Sequence, residues 1–178
     1  MRCYRTMINW TPLNDDTTLK GIEGEWTVKD KTLIVYITYT NYWQDILSDC
    51  LIIPTLDGCH MGLKPYGAWL ASWVRIQRLN NPEIEKVILI GCSMGGGIVM
   101  IAANLLDDVT KVISIGGLNT TFKIHLKAEL WINRGDIVPY LGLWFRRPIK
   151  KYTDKKWQWP IKAHCSYDVG KVINNIIK

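Results

Sequence analysis

No stretch of this 178-residue sequence approaches the roughly 18 consecutive apolar residues that cross a bilayer. The N-terminal residues lack the long apolar core of a secretory leader, so the expectation is a cytosolic protein. The five cysteines, Cys3, Cys50, Cys59, Cys92 and Cys165, include no C-x-x-C pair, which argues against a metal site built on zinc spacing. Their odd number suits free, mostly buried thiols in a reducing compartment. Histidine is scarce, with three residues, and phenylalanine scarcer, with two. No internal repeat or low-complexity tract is visible. These absences, with 48% apolar and 21% charged residues, exclude a disordered tail, a collagen-like fibre and a coiled coil.

What is present points to one globular domain over residues 1–178, with residues 1–24 as an arm or cap. Nine tryptophans and eight tyrosines accompany a net charge of +6. The densest positive stretch holds Arg146, Arg147, Lys150, Lys151, Lys155, Lys156 and Lys162, interleaved with Trp144, Tyr152, Trp157 and Trp159. Such a surface attracts phosphate or anionic lipid. The plainer alternative is a solvated face with anchoring aromatics. No nucleic-acid-binding module is recognisable, and no nucleic-acid partner is expected.

Hydropathy patterning alternates strands and helices. Residues 26–28 form a short strand candidate, and Lys29-Asp30-Lys31 its turn. Residues 32–40 are almost continuously apolar and β-branched, which suits an interior strand covered on both faces. A short helix over 42–48 and a strand over 51–53 follow. Residues 66–79 carry Trp69, Leu70, Trp73, Val74, Ile76 and Leu79 at helical spacing, closed by Asn80-Asn81-Pro82. Strands are expected over 86–91, 109–115 and 129–133, a small-residue helix over 95–106, and a final helix over 167–177. This order predicts an α/β fold around a mostly parallel sheet.

The sharpest motif is Gly91-Cys92-Ser93-Met94-Gly95, a G-x-S-x-G between an apolar strand and a helix. A serine on a tight strand-to-helix turn projects outward, and glycines on either side remove colliding Cβ atoms. The amides opening the helix point to where an oxyanion would form. A serine nucleophile needs a base and a carboxylate to orient it. Asp136 follows a strand in Asn133-Arg134-Gly135-Asp136-Ile137-Val138-Pro139, and His164 precedes the last helix. The order Ser93, Asp136, His164 is that of hydrolases built on this turn. His60 reads as a structural hydrogen-bonding residue and His125, between lysines, as a surface one. Asp107, Asp108, Asp154 and Asp168 do not sit at strand ends. Cys92 is expected to turn away from Ser93 into the core, and Cys165 to form at most a pocket wall.

At these motifs the chain resembles the class 3 lipases, the fungal-lipase-like branch of the α/β-hydrolases. Their G-H-S-L-G-G elbow is similar to Gly91-Cys92-Ser93-Met94-Gly95-Gly96, and their N-x-x-D-x-V-P segment to residues 133–139. Their V-H-x-G-F is similar to Cys59-His60-Met61-Gly62-Leu63, and their D-W-x-x-D-L to Tyr42-Trp43-Gln44-Asp45-Ile46-Leu47. The likeness runs from about residue 32 to about 170. It implies a three-layer α/β-hydrolase fold. It also implies an oxyanion hole from Met94 and from Thr40, which aligns with the threonine or serine of the family's F-R-G-T/S strand end. Thr38 and Tyr39 stand where the family has arginine and glycine.

The expected activity is hydrolysis of carboxylic esters by a Ser93–Asp136–His164 triad, without metal or organic cofactor. The short spacings within the triad leave little chain for a long lid, which favours small or monoacyl esters. Alternatives are a thioesterase, peptidase or acyltransferase with the same triad, and a catalytically inactive hydrolase fold retained for binding. The expected partners are a small-molecule or lipid ester and, through Trp144, Trp157 and Trp159, the surface of an anionic membrane.

Overall fold

Among the described residues, seven strands form one sheet whose spatial order is the order of the chain. The computed structural model describes residues 10–13, 23–38, 54–123, 125, 127–141, 145, 148–153 and 155–177, with 175–177 as backbone only. Strands β1 (Thr11–Pro12), β2 (Gly24–Lys29) and β3 (Thr32–Ile37) are antiparallel neighbours. From β3 onward the sheet is parallel, through β4 (Lys86–Cys92), β5 (Lys111–Ile115), β6 (Ala128–Ile132) and β7 (Ile149–Tyr152). The expected mostly parallel α/β sheet is thus present. The expected turn is a two-residue hairpin loop: Lys29 pairs with Thr32, and Asp30 and Lys31 adopt φ of 47° and 59°. Left-handed residues at both loop positions match the twist of the flanking strands.

Helix α1 (Lys64–Asn80) lies between β3 and β4, and α2 (Met94–Asn104) between β4 and β5. Gly67, Leu70, Ala71 and Val74 form the buried stripe of α1, at the spacing of one helix face. The Asn81 backbone N–H and side-chain amide both donate to Gln77 O and close the helix. Every residue of α2 from Met94 to Ala103 is buried, so an all-apolar, glycine-rich helix fits where an amphipathic one would not.

Strand alternation sorts the core into two layers. Leu33, Val35 and Ile37 of β3, with Val87, Leu89 and Val112, pack under α1 and α2. Ile34, Tyr36, Ile90, Ile113 and Ile115 face the other way, against Tyr167, Val172 and Ile173. The near-continuous apolar strands are those covered on both faces.

The C-terminal region departs from the single helix expected over 167–177. A short helix α3 (Pro160–Cys165) precedes α4 (Val169–Ile177), with Tyr167 in the turn between them. Asp168 Oδ1 accepts the Lys171 N–H at 3.0 Å, capping α4 and setting its start. The strands β1 and β7 were not expected. In β7 the sequence Ile-Lys-Lys-Tyr carries no alternating signal, as suits a lysine-guarded strand at the sheet edge. The interior strand expected over 32–40 ends at Ile37, where Thr38 N–H and Oγ1 both turn to Glu23 O. The helix expected over 42–48 and the strand over 51–53 lie outside the described residues. Of the three described cysteines, Cys59 and Cys92 are half-buried and Cys165 is exposed, which corrects the expectation of mostly buried thiols.

Candidate active site

Ser93 sits between the end of β4 and the start of α2 with φ 54° and ψ −122°, a conformation that L side chains rarely adopt. Its N–H donates to Ile115 O at 2.9 Å and its C=O accepts the Gly96 N–H at 2.9 Å, so the turn is pinned on both sides. A Cβ on Gly91 would lie 2.1 Å from Gly95 O, and one on Gly95 2.6 Å from Ile37 O. Both contacts are with backbone, which cannot swing aside. The two glycines are therefore the condition for holding the serine in this strained turn.

Asp136 lies just beyond β6, where its N–H closes a turn onto Asn133 O at 3.1 Å. Its side chain has no exposed area. The buried carboxylate is compensated by hydrogen bonds: Oδ1 accepts the Val138 N–H at 2.9 Å and Oδ2 the Tyr167 hydroxyl at 2.5 Å. Both oxygens also face His164 Nδ1, at 3.2 and 3.1 Å. On the far side of the ring, His164 Nε2 lies 2.9 Å from Ser93 Oγ, across 71 residues of chain. A carboxylate only accepts, so the proton belongs on Nδ1, leaving Nε2 to accept from the serine hydroxyl. The three residues thus form one hydrogen-bonded line, from a buried acid to the serine at the carboxyl end of the parallel strands.

Two neighbours hold this line together. Asn133, itself buried, donates its side-chain amide to Ala163 O at 2.7 Å and to Ser166 Oγ at 3.2 Å. That ties the loop carrying Asp136 to the helix carrying His164. Tyr167 accepts the Asn133 backbone N–H at 2.8 Å while donating to Asp136. Burial first, and then the hydrogen bond to Asp136, push the Tyr167 phenol far above its ordinary range, so it acts as a neutral donor. Sequence reasoning missed Tyr167, reading it as the first residue of a helix. It gave Asn133 a place in a motif but no role.

Met94, the residue after the serine, opens α2, and its amide is among the first-turn N–H groups that lack an intrahelical acceptor. Thr40 and Trp144 lie outside the described residues. Trp157 and Trp159 are exposed and in contact with one another, their ring centroids 5.8 Å apart. His60 is buried at the entry to α1, its backbone N–H donating to Thr120 O at 2.8 Å. Asp108 pairs with Arg78. Cys92 packs against the cluster formed by Ile90 and Tyr167.

The arrangement is an α/β-hydrolase fold, with its serine on the turn from a central strand into a buried helix. More narrowly it is the fold of the fungal lipases. A lipase from Rhizopus microsporus var. chinensis superposes with a TM-score of 0.69 at 16% identity, over 89% of this chain and 74% of that one. The lipase of a Rhizomucor miehei lipase–propeptide complex gives 0.67 at 15% identity, over 89% and 68%. The Lip2 lipase of Yarrowia lipolytica gives 0.58 at 16%, over 88% and 69%. Among curated proteins, "Putative esterase/lipase 3" of Mycoplasma genitalium is 26% identical over 154 residues, 83% of this chain and 52% of that protein. The chain thus spans about half the length of the curated relative it matches. No family model matches the sequence.

Proposed function

We propose that this chain is a serine hydrolase of carboxylic esters, acting on small or monoacyl lipid esters. The observation that carries the reading is the continuous line from Ser93 Oγ through both nitrogens of His164 to the buried Asp136, starting from a serine held at positive φ. The relative named an esterase/lipase and the fungal lipases of the same fold support it.

In this reading Ser93 Oγ attacks the ester carbonyl carbon as its proton passes to His164 Nε2. Asp136 stabilises the imidazolium, itself kept in place by Tyr167 and the Val138 amide. The Met94 N–H, with Thr40, receives the tetrahedral oxyanion. His164 then returns the proton to the departing alcohol. Water, activated by the same imidazole, cleaves the acyl-enzyme and restores Ser93.

The test is hydrolysis of p-nitrophenyl esters of increasing acyl length by the wild type and Ser93→Ala. The expected outcome is measurable turnover of short and medium chains, and a fall of about ten-thousand-fold or more in kcat/KM on substitution. Turnover that survives Ser93→Ala would remove the proposed nucleophile.

A further inference from the structure

The positive charge of the chain is not spread evenly. Residues 137–166 contain seven lysines and arginines against one aspartate, a balance of +6, equal to that of the whole sequence. The other residues hold 15 basic and 15 acidic side chains and are neutral. Toward the end of this basic stretch, over residues 155–166, three large apolar side chains stand in solvent: Trp157 is 63% exposed, Trp159 75% and Ile161 74%. Lys156 and Lys162 beside them are exposed as well. Tryptophan rarely remains so open, because burying its indole is among the larger apolar gains available to a fold.

The exposure is built into the backbone. Gln158 between the two indoles turns inward. Its N–H donates to Arg134 O at 3.1 Å and its side-chain oxygen accepts the Ser166 hydroxyl at 2.9 Å. Gly135, at φ 96°, lets this strand of chain close in, since a Cβ there would lie 2.0 Å from Gln158 O. With Gln158 held against the loop that carries Asp136, alternation along the extended chain sends Trp157 and Trp159 outward. Trp159 then caps α3, with Pro160 setting its first turn and Ala163 N–H bonded to Trp159 O at 2.7 Å. His164 stands five positions on, about 8 Å along the helix axis at 1.5 Å per residue.

We propose that Trp157, Trp159 and Ile161, flanked by Lys156 and Lys162, form a docking surface for an anionic phospholipid bilayer. The indoles and the isoleucine enter the headgroup region while the lysines pair with lipid phosphates. An apolar insertion and a basic fringe are the two signals that together make peripheral attachment stable. Charge decides the occupant, since a neutral partner would make no use of the exposed Lys156 and Lys162 beside the indoles. Docked in this way, α3 and His164 lie against the lipid surface. That consequence for substrate supply rests on the proposed esterase function; the docking does not.

The experiment is sedimentation of Ser93→Ala protein, which cannot consume lipid through the proposed nucleophile, with vesicles of phosphatidylcholine alone or containing phosphatidylglycerol. Binding to the anionic vesicles is expected to be at least tenfold tighter, and to weaken steeply with salt. Lys156→Gln with Lys162→Gln should weaken it about twenty-five-fold, at roughly fivefold per charge. Trp157→Ser with Trp159→Ser should weaken it at least tenfold in low salt, with near-ultraviolet circular dichroism showing that the variant is folded. Equal binding to both vesicle types, or binding indifferent to the tryptophans, would overturn the proposal. So would a concentration-dependent dimer abolished by Trp157→Ser and Trp159→Ser, which would assign the patch to a second copy of the chain. An inactive wild type that still binds anionic vesicles would sink the esterase reading and leave the docking surface standing.

Discussion

The turn at Gly91–Gly95 and the strap at Lys155–Trp159 converge on the same histidine and are built on opposite principles. In the turn every position is fixed by backbone contact: glycines abut carbonyl oxygens at distances no side chain permits, and the serine is pinned at positive φ. In the strap the inward hydrogen bonds of Gln158, and of Lys155 to Ser166 O, fix the path, and the large side chains on either side of Gln158 are left in water. Geometry that must hold to a fraction of an ångström is placed where the parallel strands end and nothing can relax. A surface that only has to meet another surface needs a few polar anchors and carries its apolar area openly.

The largest expected effect breaks the first half of that contrast. Gly91→Ala puts a methyl carbon where Gly95 O already stands, so either the turn opens or the helix shifts. Overpacking of this kind costs about 1–3 kcal/mol, which lowers Tm by roughly 3–10 °C in a domain of this size. Because the displaced atoms carry Ser93, p-nitrophenyl ester turnover should fall by about a hundredfold or more, beyond what the stability loss explains. Normal turnover in this variant would mean that the serine does not depend on the tight turn.

Next comes Tyr167→Phe, which probes the network behind the line. It deletes the only side-chain hydroxyl bonded to Asp136 among the described residues, and leaves the buried Asn133 N–H without its acceptor. Leaving buried groups unpaired costs about 1–3 kcal/mol, again a few degrees in Tm. If Tyr167 positions the acid, kcat should drop about tenfold with KM nearly unchanged, a split that general destabilisation would not produce. A variant that loses stability alone would make Tyr167 a purely structural residue.

How much of this could be read from residue order follows the same division. The elbow was legible because its physics is local: an apolar strand, glycines at fixed offsets and a small-residue helix leave few other conformations. The interior strands were legible because burial on both faces writes a continuous apolar run. Asp136 was legible as a carboxylate just past a strand. The edge strand β7 was hidden because lysines that protect an edge also erase its pattern. Helix α3 has six residues, too few to show a period, so His164 was expected just ahead of the last helix rather than inside a short helix of its own. Tyr167 had no local signature at all. Its role depends on a hydrogen bond to a residue 31 positions away, and that bond exists only once the sheet has brought β6 and the C-terminal turn together.

The smallest expected effect sharpens the second half of the contrast, by comparing neighbours in the strap. Trp159 is mostly exposed, and outside α3 its side chain touches Trp157, itself exposed, so Trp159→Ser should change stability by about 0.5 kcal/mol or less. In a thermal melt that is a shift of no more than about 2 °C. Gln158→Ala, a less drastic change in size, removes the nearer of the two acceptors of the Ser166 hydroxyl in a half-buried setting and should cost more, about 1 kcal/mol. A protein that tolerates loss of an indole better than loss of an amide one position away keeps that indole for something outside its own fold. Were the order reversed, with Trp159→Ser the more damaging, the tryptophan would be supporting the strap, and the path of the chain past Asp136 would depend on the ring pair rather than on Gln158.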